Sequence, residues 1–216
     1  LLVKETMQKI MGTAKFTVHK LNYNKDIVLT NIFKLQDMWV SRSDEFPFFT
    51  LGRSAYLDGK TPEYKKKQKS INEILYTNFK ELYNNILDVL QDKLHERIYL
   101  PNNLCYPGFH IFSSDKSLLT ISGNWHEDYP HETLGLGNKD TSTFTVPILL
   151  PESGGGIDCM IDNMPIYLGY KEGEMLCHDG TTLHRIASLK EYKPNEYRIT
   201  LQGHLVRRNK RMEVFW

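Results

Sequence analysis

The 216-residue sequence holds only three cysteines, Cys105, Cys159 and Cys177, an odd number with no C-x-x-C pair. That scarcity argues against a disulfide framework and a zinc knuckle, and it favours a reducing, cytoplasmic compartment. No apolar run approaches the length of a membrane span, and the start, on Leu1 rather than Met, lacks a signal-peptide pattern. Neither sign of charge is in excess: 27 Lys and Arg stand against 26 Asp and Glu, so nothing pulls the chain toward nucleic acid or a membrane surface. Two local basic clusters read as a solvated helix start (Lys65, Lys66, Lys67, Lys69) and a turn between strands (Arg207, Arg208, Lys210, Arg211). Internal repeats and low-complexity tracts are lacking too. What remains is an ordinary globular composition, 40% hydrophobic and 25% charged, read as one domain over residues 1–216 with a sizeable core.

The clearest element is a long helix. Thr61 suits the N-cap, Pro62 the first helical position and Glu63 the positive end of the helix dipole. Ile71, Leu75, Phe79, Leu82, Ile86, Leu90 and Leu94 then recur every three or four residues as one packing stripe, and the helix ends before Pro101. A weaker helix is expected over Asn31–Val40. From Leu104 onward short β-like runs alternate with Gly, Pro, Asn and Asp. They cover Phe109–Phe112, Ser117–Ser122, Thr143–Leu150, Gly156–Ile161, Pro165–Leu168, Glu174–Cys177, His184–Leu189 and Tyr197–Val206. Such spacing suggests a barrel or jelly roll, so residues 1–103 form a helix-rich part bracing a β core over 104–216.

The chemistry concentrates at "WHED". Residues two apart on a strand face the same way, so His126 and Asp128 can grip one ion, and imidazole with carboxylate suits Fe(II). Two histidines and a carboxylate leave three metal positions open, so a third ligand has to come from another strand. His184 opens such a strand, after Gly180 and two threonines. Fourteen residues later Arg198 stands in an alternating pattern with Thr200. Facing inward, its planar fork would need a carboxylate or phosphate; facing outward, it would be an ordinary edge-strand arginine.

In this order and spacing, His126-x-Asp128, His184 and Arg198-x-Thr200 resemble the Fe(II)- and 2-oxoglutarate-dependent oxygenases. The resemblance spans Leu104–Val206, about half the chain. "CYPG" at 105–108 looks like the strand of prolyl-hydroxylase-like members whose tyrosine helps hold 2-oxoglutarate, which implies that role for Tyr106. "GGGIDCMI" looks like the Gly-rich lead into the strand between the metal-binding segments. The resemblance implies a double-stranded β-helix (a jelly-roll, cupin-like core), mainly β with N-terminal helices. Iron would be held by His126, Asp128 and His184, and the distal carboxylate of 2-oxoglutarate by Arg198 and Thr200. Oxygen would convert 2-oxoglutarate to succinate and CO2 while an unactivated C–H bond of a small molecule, or of an amino-acid or peptide side chain, is oxidised. Asp128 is present where related halogenases lack a carboxylate, so hydroxylation is the expected outcome.

His184 is preferred to His178 as the distal ligand because its distance to Arg198 fits the family better. His178 then reads as a surface residue or a donor behind the ligands, and His131 as a solvated loop residue. His110 and His204 read as satisfied core or surface histidines, with the pocket face as the alternative for His110. Glu127 is expected to face away from the metal and Trp125 to pack behind it. Arg42–Lys60, the loop after Asp128 and the N-terminal helices are expected to shape specificity. The rival readings are a cupin-type metal enzyme without 2-oxoglutarate and a non-catalytic barrel that binds a partner.

Overall fold

The computed structural model describes residues 16–120, 123–136, 141–208 and 210–216. In chain order the first half contains β1 (Phe16–Lys20), α1 (Lys25–Lys34), β2 (Val40–Ser41), β3 (Phe48–Leu51), α2 (Ala55–Asp58), α3 (Pro62–Leu94) and β4 (Ile98–Tyr99). Then come β5 (Gly108–Ser113), α4 (Pro130–Thr133), β6 (Thr141–Leu149), β7 (Gly156–Ile161) and β8 (Met164–Gly169). The chain closes with β9 (Glu174–Asp179), β10 (His184–Ile186), β11 (Tyr197–Arg208) and β12 (Arg211–Phe215). Among the described residues the strands make two sheets. The larger runs β1-β9-β6-β11-β5-β3-β2, with β12 on β11 and β4 on β12; the smaller is β10-β7-β8.

Thr61 caps α3 and Pro62 fills its first turn as the sequence predicts, although the Thr61 hydroxyl donates to the Asp58 carbonyl (2.7 Å) rather than accepting from the helix. Six of the seven stripe residues, from Ile71 to Leu90, are buried against the back of the large sheet. The helix kinks at Phe79 (φ −127°, ψ 22°), whose ring packs 4.6 Å from that of Phe109. Near its start, Gln68 and Asn72 turn polar atoms to the incoming chain. Both side-chain amides donate to the Leu104 carbonyl, at 3.0 and 2.8 Å, and the Asn72 oxygen accepts the Tyr106 N–H at 2.9 Å. These bonds fix the path by which the chain enters β5.

On β11 the two-residue alternation of a strand divides the molecule. Ile199, Leu201 and Leu205 enter the core under α3, while Arg198, Thr200, Gln202 and His204 face a cavity between the sheets. Beside that cavity a second apolar cluster, Phe16, Leu176, Ile157, Cys159 and Leu168, joins the large sheet to the small one. All three cysteines are free and buried, and burial pushes the Cys105 and Cys159 thiols up to about 12, which leaves them inert at neutral pH.

Several expectations need correction. The helix-rich first 103 residues also contribute strands, since β1, β2, β3 and β4 all join the large sheet. These strands of two to five residues are made by pairing with distant partners and carry little periodicity of their own. The weaker helix runs Lys25–Lys34, capped by Asn24 accepting from the Ile27 N–H (3.1 Å), and the chain is extended again by Trp39. Of the strand expected at 117–122, Lys116–Leu119 is a 3-10 helix capped by Asp115, and 121 and 122 lie outside the described residues.

Replacing Phe79 by Ala empties the contact between the kink and the sheet. A loss of about 3–5 kcal/mol is expected for a fully buried phenylalanine. Chemical denaturation measures it, and a loss under about 1 kcal/mol would show that the kink does not anchor α3.

Candidate active site

His126, Asp128 and His184 converge as the motif suggests, each offering a ligand atom within 4.8 Å of the others. Asp128 sits between the imidazoles, 3.9 Å from His126 Nε2 and 3.6 Å from His184 Nε2. The H-x-D segment is not a full strand but a short extended stretch zipped onto β10. His126 and His184 exchange both backbone hydrogen bonds at 2.9 Å, and the Asp128 N–H donates to the Gly180 carbonyl at 2.8 Å. Gly180 is required for this approach, because a Cβ there would lie 2.4 Å from Thr141 Oγ1 and 3.0 Å from the Asp128 carbonyl oxygen.

Hydrogen bonds also set each ring. A carbonyl oxygen only accepts, so His126 Nδ1–H donates to Asn124 O (2.7 Å) and His184 Nδ1–H to Thr182 O (2.8 Å). Both Nε2 lone pairs are thereby left for an ion. Burial, opposed by the Asp128 charge, pulls His184 down to about 4, so it is neutral and ligand-competent at neutral pH. Burial raises the cost of charge on Asp128, but neighbouring His204, His184 and His178 and a hydrogen bond from Thr143 hold its carboxyl below the usual range. The Thr143 hydroxyl donates to Asp128 Oδ2 (2.7 Å) and so accepts from His204 Nδ1–H (3.0 Å). Thr143 and His204 are both fully buried.

The triad opens into a cavity of about 650 Å³. Arg198 and Thr200 face the same space. The Arg198 guanidinium is buried, lies 5.4 Å from the Tyr170 ring centre and 5.7 Å from that of Phe112, and donates from Nη2 to the Gly156 carbonyl (3.1 Å). Its Nε is buried with no partner, and it forms no ion pair among the described residues. Gly155 lets the chain pass this group, since a Cβ there would stand 3.3 Å from Nε. Desolvation lowers the Arg198 pKa, yet guanidinium is the most persistent cation a protein has, so the cavity retains an uncompensated positive charge. Burial pushes the Tyr170 hydroxyl up to about 12.

Tyr106 is not part of this cavity. With its N–H held by Asn72, it packs edge-on to Tyr76 and Tyr83, whose rings lie 6.4 and 6.2 Å away. Tyr170 stands beside Arg198 instead; it lies just after β8 and two residues past the strand expected at Pro165–Leu168. His178 is buried and lines the cavity, 4.6 Å from the His184 ring, and is not a surface residue. His131 is buried in α4, and its Nδ1 has no hydrogen-bond partner among the described residues. His110 and His204 both face the cavity, and His204 Nε2 is unsatisfied. Burial and the Arg198 charge drive His110 down to about 3. Glu127 stays out of the triad and accepts from the Tyr129 hydroxyl at the cavity mouth, while Trp125 stacks under Arg185 at 4.6 Å. Arg42–Lys60 and the chain after Asp128 both contribute to the lining, through Phe46, Phe48, Tyr56, Tyr129 and Pro130.

No protein-family model and no curated protein matches the chain. Solved structures do. An N-substituted L-amino acid dioxygenase from Burkholderia ambifaria AMMD is similar over 99% of this chain and 91% of its own, at 12% identity and a TM-score of 0.60. A 2OG-Fe(II) oxygenase family oxidoreductase from Burkholderia pseudomallei is similar over 96% and 93%, at 11% identity and 0.56. The non-heme α-ketoglutarate dependent epimerase SnoN from nogalamycin biosynthesis is similar over 94% and 82%, at 9% identity and 0.54. At such identities the likeness concerns the fold. The chain is a mainly β jelly roll of the kind on which 2-oxoglutarate/Fe(II) oxygenases are built.

Removing the Thr143 hydroxyl would leave Asp128 Oδ2 and His204 Nδ1–H without partners while keeping side-chain volume. Thr143→Val should weaken Mn(II) or Co(II) binding about 10–100-fold, the usual cost of losing a group that orients a metal ligand. Thr143→Ser should bind as the parent does. Calorimetric titration reads both, and equal affinity for the valine variant would contradict the orienting role.

Proposed function

We propose that the chain is a single-domain 2-oxoglutarate- and Fe(II)-dependent oxygenase that hydroxylates an unactivated C–H bond of a small molecule or amino-acid side chain. One observation carries this reading. The cavity that gathers two histidines and an aspartate also holds Arg198, a buried cation whose Nε has no hydrogen-bond partner among the described residues. A metal enzyme that used no anionic cosubstrate would have no reason to retain that charge, because an unpaired buried ion costs several kcal/mol.

The residues fit both groups. His126, Asp128 and His184 would hold Fe(II), with His126 on the open side, half exposed, and His184 on the closed side. Arg198 and Thr200 would take the distal carboxylate of 2-oxoglutarate, and Tyr170, whose ring lies 5.4 Å from the Arg198 guanidinium, would stand beside it in place of Tyr106. When bound, iron and 2-oxoglutarate supply with O2 the oxidising chemistry, with succinate and CO2 as co-products. The chain's own part is orientation and exclusion of water. Thr143 fixes the carboxylate plane, carbonyl acceptors fix both imidazole tautomers, and the buried side of the cavity keeps solvent from the cosubstrate. Among the described residues no helix is long and apolar enough to cross a membrane. The three free cysteines support a reducing, cytoplasmic setting.

His126→Ala and Asp128→Ala should each abolish succinate formation from 2-oxoglutarate. Arg198→Ala should weaken 2-oxoglutarate binding to the Mn(II)-loaded protein about 30-fold or more, since truncating a buried, hydrogen-bonded charge costs about 2–5 kcal/mol. Unchanged affinity would favour a metal enzyme that does without this cosubstrate.

A further inference from the structure

The cavity is lined by more than the triad and the Arg198 pocket need. Phe46, Phe48 and Phe112 form a nearly parallel set of rings on one wall: Phe48 and Phe112 lie 4.4 Å apart at 3°, and Phe46 stands 6.4 Å from each at 9° and 6°. Leu118, Ile186 and Leu189 complete the same apolar cluster, and each of them also faces the cavity. Ile186 is two residues from His184 on β10, which puts this wall next to the triad.

Charge is sparse here. Among the described lining residues the Asp, Glu, Lys and Arg side chains are Asp128, Glu127 and Arg198 alone. Asp128 belongs to the triad, the Glu127 carboxylate accepts from Tyr129, and Arg198 lies beside Phe112 and Tyr170. A substrate carboxylate or phosphate would therefore find no cation of its own and would be desolvated unpaired. A flat apolar ring would extend the stack, gaining about 0.5–1.5 kcal/mol beyond simple burial. Neutral polar groups remain for recognition: Asn124, Gln202, and the Tyr56 hydroxyl joined to His110 Nε2 at 2.6 Å.

We infer that the substrate is an uncharged small molecule bearing a flat apolar ring, seated against Phe46, Phe48 and Phe112. The inference rests on the proposed function in one respect, that 2-oxoglutarate occupies Arg198. It separates this chain from oxygenases whose substrates are free amino acids, because among the described lining residues an α-carboxylate meets no cation of its own.

Three probes on one skeleton test it: 2-naphthalenemethanol, 2-naphthoic acid and 2-naphthylmethylamine. Calorimetry with the Mn(II)- and 2-oxoglutarate-loaded protein should find the alcohol bound at least about tenfold tighter than the acid or the amine. Phe48→Leu keeps an apolar side chain but removes the ring. It should weaken the alcohol about fivefold and leave 2-oxoglutarate affinity unchanged, which separates loss of the ring wall from loss of the fold. Titrating the three probes into Mn(II)-loaded Arg198→Gln without 2-oxoglutarate, where no Lys or Arg remains among the described lining residues, should keep the alcohol first. Equal or tighter binding of the acid or the amine, or an indifferent Phe48→Leu, would overturn the inference. If 2-oxoglutarate fails to bind the parent protein, the functional reading falls, and the Arg198→Gln titrations still decide the ring preference.

Discussion

A guanidinium with no acid beside it among the described residues, buried between two β-sheets, is the constraint around which this molecule is arranged. Left in an apolar interior it would be costly, and the fold reduces that cost without cancelling it. The Gly156 carbonyl accepts one N–H, the Phe112 and Tyr170 rings offer their faces, and Gly155 keeps the backbone clear. Nε is still unsatisfied. Under the proposed function, this unmet electrostatic need is what the distal carboxylate of 2-oxoglutarate would fill.

The same strand that presents Arg198 ties the two ends of the cavity together. Thr200 and His204 share its face, and His204 reaches Asp128 through Thr143. A single alternation on β11 therefore aligns Arg198, the Thr143 link to Asp128 and the buried core behind them. The metal-facing histidines come from a different construction. His126 lies on no full strand; its position depends on the two backbone bonds to His184 and on Gly180 admitting the Asp128 backbone. A further link holds the cavity's rim. The buried Asp58 takes both arms of Arg42, at 2.9 and 2.6 Å, and a bond from Arg53, so α2 and its Tyr56 are pinned beside β2 and β3.

Much of this was legible from residue order alone. That His126, Asp128 and His184 converge and that Arg198 and Thr200 face one cavity could be expected because strand alternation restricts which side chains share a face. Gly156–Ile161 reads as a strand in both sequence and structure, and α3 announces itself through Thr61, Pro62 and a seven-residue stripe. What escaped depends on contacts distant in sequence. Tyr106 is a tyrosine in a plausible place, but Asn72 holds its backbone with the ring toward α3, and Tyr170 stands by Arg198 instead. His131 and His178 have polar neighbours in sequence and buried ones in space. Phe16–Lys20 and Arg211–Phe215 become strands only when β9 and β11 are there to pair with them.

The central claim is that one cavity holds a metal on His126, Asp128 and His184 and an anion on Arg198 so that a single chelating molecule can reach both. Anaerobic addition of Fe(II) and then 2-oxoglutarate to the folded protein tests it most directly by visible absorption. The account predicts a metal-to-ligand charge-transfer band that needs both additions and disappears on replacing 2-oxoglutarate with succinate, which lacks the chelating keto acid. A well-folded protein that gives no such band would contradict it.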